Sequence, residues 1–148
     1  MAEEVCTKIN KSAMLHKRLM AKILERFDLT YAQYQVLKTI KKHKTLSAKE
    51  ILVYMDTDKA TLSGILNRLE KNGLIRREQD AKDKRLKHVS LTAASEALCN
   101  NVESIEGGCA EELTHNIKPR ELKNFFNVFE KIIANQQRKL QEETEKNI

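Results

Sequence analysis

Lys59-Ala60-Thr61-Leu62-Ser63-Gly64-Ile65-Leu66-Asn67-Arg68-Leu69-Glu70-Lys71-Asn72-Gly73 decides the fold of this chain. Leu62, Ile65, Leu66 and Leu69 recur at spacings of three and four, which puts them on one face of a helix. Asp56-Thr57-Asp58 just ahead offers a turn and a cap for the free N–H groups of the first helical turn. Asn72-Gly73 ends the helix, because glycine enters the left-handed conformation without a Cβ clash. The face opposite the leucines carries Lys59, Thr61, Ser63, Gly64, Asn67, Arg68 and Lys71, all small or hydrogen-bonding.

Upstream, Ser47-Ala48-Lys49-Glu50 is a capping box that opens a short helix, with Ile51, Leu52 and Met55 as its inner side. Two short helices joined by a tight polar turn form a helix-turn-helix. Downstream, Leu74-Ile75-Arg76-Arg77-Glu78 and Lys87-His88-Val89-Ser90-Leu91 alternate apolar with polar, and the charged link from Gln79 to Leu86 reads as a hairpin tip. A small strand pair directly behind a helix-turn-helix is a wing.

The flanks are helical. Val5, Ile9, Ala13, Met20, Ile23, Leu24 and Phe27 mark a first helix; Asp28-Leu29 interrupts, and Thr30 caps a second that runs to the basic Lys41-Lys42-His43-Lys44. Ala94, Leu98, Val102, Ile105 and Cys109 predict a long fifth helix with a bend at Gly107-Gly108. Pro119 suits the first turn of a sixth, where Leu122, Phe125, Phe126, Phe129, Ile132, Ile133 and Leu140 form an apolar band broad enough to require a partner. The expected fold is mainly α: a winged helix-turn-helix over 28–92 with a two-stranded wing, and an α-helical dimerisation region from 1–27 and 93–148. The alternative is that the apolar terminal helices fold back within one chain.

Charge points to the partner. The chain of 148 residues carries a formal +6, distributed as +3 over 1–27, +6 over 28–91 and −3 over 92–148. A basic field over the winged segment suits a polyanion, since each neutralised phosphate releases condensed counterions. No apolar run is long enough to span a membrane, and the acidic start Met1-Ala2-Glu3-Glu4 does not resemble a secretory signal, so a cytoplasmic protein is expected. Cys6, Cys99 and Cys109 are odd in number and widely spaced, without a metal or disulfide pattern. His16, His43, His88 and His115 are scattered, with no paired carboxylates, phosphate loop or metal spacing around them, which argues against an enzyme. No cofactor is expected.

In a helix-turn-helix the second helix enters the major groove, so Lys59, Ala60, Thr61, Ser63, Gly64, Asn67 and Arg68 are candidate DNA contacts. Gly64 would allow close approach, and Arg68 can bridge two acceptors. Ser47 at the start of the preceding helix joins them, as do Lys84, Arg85 and Lys87 of the wing. An arginine on a narrow loop suits the minor groove, where negative potential is focused, and Asp83 two residues away can orient its guanidinium.

These residues carry a family resemblance. Leu29-Thr30-Tyr31-Ala32-Gln33-Tyr34, Lys59 through Ile75, Asp80-Ala81-Lys82-Asp83-Lys84-Arg85 and Val89-Ser90-Leu91-Thr92 resemble the MarR family, in order and without an obvious gap. The resemblance implies a dimer built on the first, fifth and sixth helices, two winged domains reading a palindromic operator, and repression relieved by a ligand or an oxidant. It implies major-groove roles for Lys59, Ala60, Thr61, Gly64, Asn67 and Arg68, and wing roles for Asp83 and Arg85. A dimer also follows physically, since two recognition helices one DNA turn apart bind cooperatively. The partners expected are double-stranded operator DNA, a second copy and a small-molecule inducer.

The resemblance favours an inducer cleft between the first, second and fifth helices, with His16, Tyr31 and Tyr34 as candidate lining. Cys6 is placed similarly to the reactive cysteine of the family's hydroperoxide-sensing branch, and Tyr31 sits at a matching place for thiolate activation. Met20 stands where a second tyrosine is expected. Two other functions are therefore weighed: a thiol-based oxidant sensor using Cys6, and a helical module that uses its Phe-rich last helix on protein partners and never touches DNA.

Overall fold

The structure is a computed structural model and describes residues 1–83 and 86–146. Its elements run α1 (Ala2–Leu24), a 3-10 turn (Glu25–Phe27), α2 (Tyr31–His43), β1 (Thr45–Ser47), α3 (Ala48–Tyr54), α4 (Lys59–Lys71), β2 (Ile75–Gln79), β3 (Lys87–Leu91), α5 (Ala93–Leu113) and α6 (Pro119–Glu145). No described helix is long and apolar enough to cross a membrane.

Each helix start in the winged segment is explained by its cap. The Thr30 hydroxyl accepts the Gln33 N–H, and the Gln33 side chain accepts the Thr30 N–H at 2.8 Å. Ser47 and Glu50 repeat the reciprocal arrangement at α3. Asp58 caps α4 through Oδ1, which accepts the Thr61 N–H at 2.8 Å. Such caps satisfy N–H groups that the helix leaves without partners. At the other end of α4, Gly73 stands at φ 69, Leu74 N–H reaches the Leu69 carbonyl and Gly73 N–H the Glu70 carbonyl. Those two bonds are the Schellman closure that a left-handed glycine permits.

The sheet departs from the expected two strands. It has three, in antiparallel order β1-β3-β2, with Leu46 opposite Val89 and Ile75 opposite Leu91. β1 is only three residues long, so no alternation reveals it, and its last residue, Ser47, is also the cap of α3. The extended backbone of Ser47, φ −75 and ψ 160, meets both requirements. β2 begins at Ile75, one residue later than its pattern suggests.

Two compact units divide the chain, Met1–Gly108 and Cys109–Ile148. In the first, the core gathers Leu24 of α1, Tyr34, Leu37 and Ile40 of α2, Ile51 of α3, the four α4 leucine-face residues, Val89 of β3 and Val102 of α5. Only the last part of α1 is buried; Val5, Met14 and Leu15 are exposed. α5 opens on another reciprocal cap, in which Thr92 N–H donates to Ser95 Oγ and Ser95 N–H to Thr92 Oγ1, and the Thr92 hydroxyl also donates to the Gly73 carbonyl at 2.8 Å. The end of α4 is thereby tied to the start of α5. The α5 helix continues unbroken through Gly107-Gly108, where the compact units divide. In the second unit α6 starts at Pro119 as expected, with Glu121 accepting the Lys118 N–H, and no residue of α6 is buried. Phe125 stacks on Phe129 at 5.1 Å between ring centroids, yet Phe125 and Phe126 are both more than half exposed.

Candidate nucleic-acid interface

Burial of Leu62, Ile65, Leu66 and Leu69 fixes the rotation of α4, so Lys59, Ala60, Thr61, Ser63, Asn67 and Arg68 lie exposed and Gly64 half-exposed. A Cβ added at Gly64 would meet nothing within 4 Å, which leaves open space above that backbone. Seven of the candidates thus share one surface of one rigid element. Several are already oriented from within the chain. The Thr61 hydroxyl donates to Asp58 Oδ2 at 2.7 Å and keeps its lone pairs for an incoming donor. Hydrogen bonds from Thr61 hold the Asp58 carboxyl below its usual range, so it remains an anionic cap. Asn67 accepts from Arg77 Nη2 at 2.7 Å.

Ser47 is placed differently. Its hydroxyl donates to Glu50 Oε2 at 2.7 Å and accepts the Glu50 N–H, so it is engaged in the cap of α3. The Ser47 N–H first, and then its hydroxyl, both donating to Glu50 Oε2, lower the Glu50 carboxyl pKa.

The wing is organised by a residue that motif reading assigned no role. Asp80 Oδ1 accepts the N–H groups of Lys82 and Asp83 at 2.7 and 2.9 Å, and Oδ2 lies 2.9 Å from His88 Nε2 on β3. Backbone bonds close the turn, Asp80 N–H to the Leu86 carbonyl and Leu86 N–H to the Asp83 carbonyl. Asp83 therefore sits at the turn and Lys87 is exposed at the start of β3. Lys84 and Arg85, with the expected fork between Asp83 and Arg85, lie outside the described residues. The signal for Asp80 was available in part, since an Asp two and three residues before free amides is a turn former; its link to His88 depends on strand register.

Two clefts adjoin α4. One cleft of about 300 Å³ lies among Ala48, Leu52, Lys59, Leu62, Ser63 and Arg77, and another of about 450 Å³ among Asp28, Thr30, Gln33, Arg68, Lys71 and Asn72. His16, Tyr31 and Tyr34 line neither. His16 is exposed on α1 and Tyr31 is half-buried. Tyr34 is fully buried, and its hydroxyl donates to Glu106 Oε2 at 3.1 Å. That carboxylate also takes Lys38 Nζ at 2.9 Å, while Lys41 bonds Glu103 and Asn100, so α2 and α5 are laced by ionic contacts. Cys6 is exposed, Cys109 half-buried and Cys99 buried, all as free thiols, and Met20 is packed in the core.

A helix-turn-helix of α3 and α4 followed by the β2–β3 hairpin defines a winged-helix protein. The MarR family model matches residues 29–87. The transcriptional regulator HosA of Escherichia coli is 33% identical over 106 residues, covering 72% of this chain and 78% of HosA. The organic hydroperoxide resistance transcriptional regulator of Bacillus subtilis is 33% identical over 85 residues, 57% of this chain and 58% of that protein. Among solved structures, a mutant of MarR from E. coli complexed with operator DNA superposes with a TM-score of 0.76 at 26% identity, covering 87% of this chain and 93% of that one. The chain belongs to the MarR family of transcriptional regulators.

Proposed function

We propose that the protein is a cytoplasmic, sequence-specific DNA-binding regulator that grips a palindromic operator as a homodimer and represses transcription until a small molecule releases it; it is not an enzyme. The observation that carries this reading is the α4 surface, where Lys59, Thr61, Ser63, Asn67 and Arg68 stand exposed on a helix locked by its buried leucine face. In the related MarR the operator is the ligand. Lys59, Ala60, Thr61, Ser63, Gly64, Asn67 and Arg68 meet the major groove, Ser47 approaches the backbone, and Lys84, Arg85 and Lys87 with Asp83 carry the wing. Residues 28–92 form the DNA-binding domain, and 1–27 with 93–148 form the dimerisation region, whose exposed Val5, Met14, Leu15, Phe125 and Phe126 need covering.

Selection of bound sequences from random duplex DNA tests the function. The expected product is an inverted repeat with half-site centres about 10 base pairs, one helical turn, apart. Affinity should fall steeply with salt, and Arg68→Ala and Arg85→Ala should weaken it. A protein that retains no duplex at low ionic strength would refute the reading.

A further inference from the structure

We infer that Arg77 of β2 sets the orientation of the Asn67 amide and so limits Asn67 to reading hydrogen-bond acceptors, giving a preference for guanine or thymine over adenine or cytosine at one position of each half-site. The inference rests on α4 being the groove-reading helix.

Arg77 pairs with Val89 in the β2–β3 ladder, and Val89 is in the core, so the register sends the Arg77 side chain to the inner side of the strand. Its side chain is 21% exposed, and the guanidinium is held from two positions one turn apart on α4. Nε lies 3.4 Å from Glu70 Oε2, and Nη2 donates to Asn67 Oδ1 at 2.7 Å. Arginine has donors and no acceptor. The amide atom facing it must therefore be the oxygen, which leaves the two N–H donors of Asn67 for whatever approaches the exposed face of α4.

An unconstrained asparagine favours adenine, because its oxygen accepts from N6 while its nitrogen donates to N7. Here the oxygen is drawn towards the strand. The remaining donors match the O6 and N7 acceptors of guanine or the O4 of thymine, whereas cytosine presents only its amino group and adenine sets its N6 amino group beside N7, so that in each a donor of Asn67 faces a donor. Arg77 is thus a positioning residue that need not touch DNA, and the register of the wing strand selects the base read by the helix.

The test is selection from random duplex DNA by the full-length wild type, Asn67→Ala, Arg77→Met and Arg77→Lys, with circular dichroism on each. Asn67→Ala, which leaves the Arg77–Glu70 pair in place, identifies the position read by Asn67 as the one that becomes degenerate. At that position the wild type should favour guanine or thymine by about tenfold. Arg77→Met should abolish this preference at that position alone, and Arg77→Lys, whose ammonium can donate to the same oxygen, should restore part of it. A wild-type preference for adenine or cytosine there, or a folded Arg77→Met with unchanged preference, overturns the inference while leaving the DNA-binding function standing. If Arg77→Met does not fold, the wild-type base at the Asn67→Ala position decides by the same criterion. Failure of the wild type to enrich any sequence overturns the function and the inference together.

Discussion

Asp80 and His88 meet across the base of the hairpin, carboxylate Oδ2 to imidazole Nε2 at 2.9 Å, while the second oxygen of Asp80 receives the Lys82 and Asp83 amides. One carboxylate thus closes the turn and joins its two strands. The Asp83 N–H, then His88 and the Lys82 N–H, hold the Asp80 carboxyl at about 2, against 3.8 for a free side chain. A carboxyl depressed in the folded state stabilises above its unfolded pKa, and that contribution is lost as pH falls from about 4 towards 2. The wing should therefore loosen over this acid range. Protection of the Lys82 and Asp83 amides relative to unstructured amides, followed by NMR across it, should be lost in the wild type and absent throughout in Asp80→Ala; equal protection in the two proteins would contradict the assignment.

Tyr34 illustrates a group whose pKa moves the other way. Burial first, then the charge of Glu106 and the hydrogen bond to it, raise the phenol above its usual value, so it stays a neutral donor across the physiological range. Tyr34→Phe should lower stability by about 1 kcal/mol in urea denaturation, since Glu106 retains Lys38. Leu69→Ala, which opens a void under α4, should cost about 2–5 kcal/mol in the same assay. Equal losses for the two variants would mean that the hydroxyl does more than satisfy one carboxylate.

The three thiols should separate by rate. Cys6 is exposed, whereas burial pushes the Cys99 thiol up to about 11 against the counteracting charge of Lys41. Only the thiolate attacks. With a chromogenic disulfide at mildly alkaline pH, Cys6 should react first, half-buried Cys109 more slowly, and Cys99 only on unfolding. Single serine variants assign each phase, and a fast phase surviving in Cys6→Ser would reverse the order.

The proposed interface can be broken without disturbing the reading surface. Phe126→Glu places a charge on an exposed ring position of α6. Sedimentation should show monomers, and operator affinity should fall by about a hundredfold as the two half-sites lose their linkage. Circular dichroism should be unchanged. A variant that remains dimeric would locate the interface elsewhere.

Local chemistry was legible and long-range chemistry was not. Thr30, Ser47, Asp58 and Gly73 announce their roles because each satisfies backbone groups within a few residues of itself. The leucine face of α4 follows from helical period alone. By contrast, β1 is too short to alternate and finds its partner, β3, more than forty residues away. Tyr34 reads as a candidate lining residue of a cleft until α5 brings Glu106 to its hydroxyl. Likewise, Arg77 looks like one more wing cation, and only strand register turns it onto Asn67. The residue types on the exposed face of α4 were visible in the chain; the orientation of their side chains depends on neighbours that the chain order does not reveal.

Ser47 belongs to a strand and a helix at once, and Thr92 hangs from Gly73 in the same manner. The hairpin is consequently splinted to both helices of the reading head, one through a shared residue and the other through a hydroxyl. Bending the hairpin at its root would break the β1 ladder, which holds His88, Val89 and Ser90. A signal that silences such a head has to displace it as a single piece, which puts the pivot beyond its own borders.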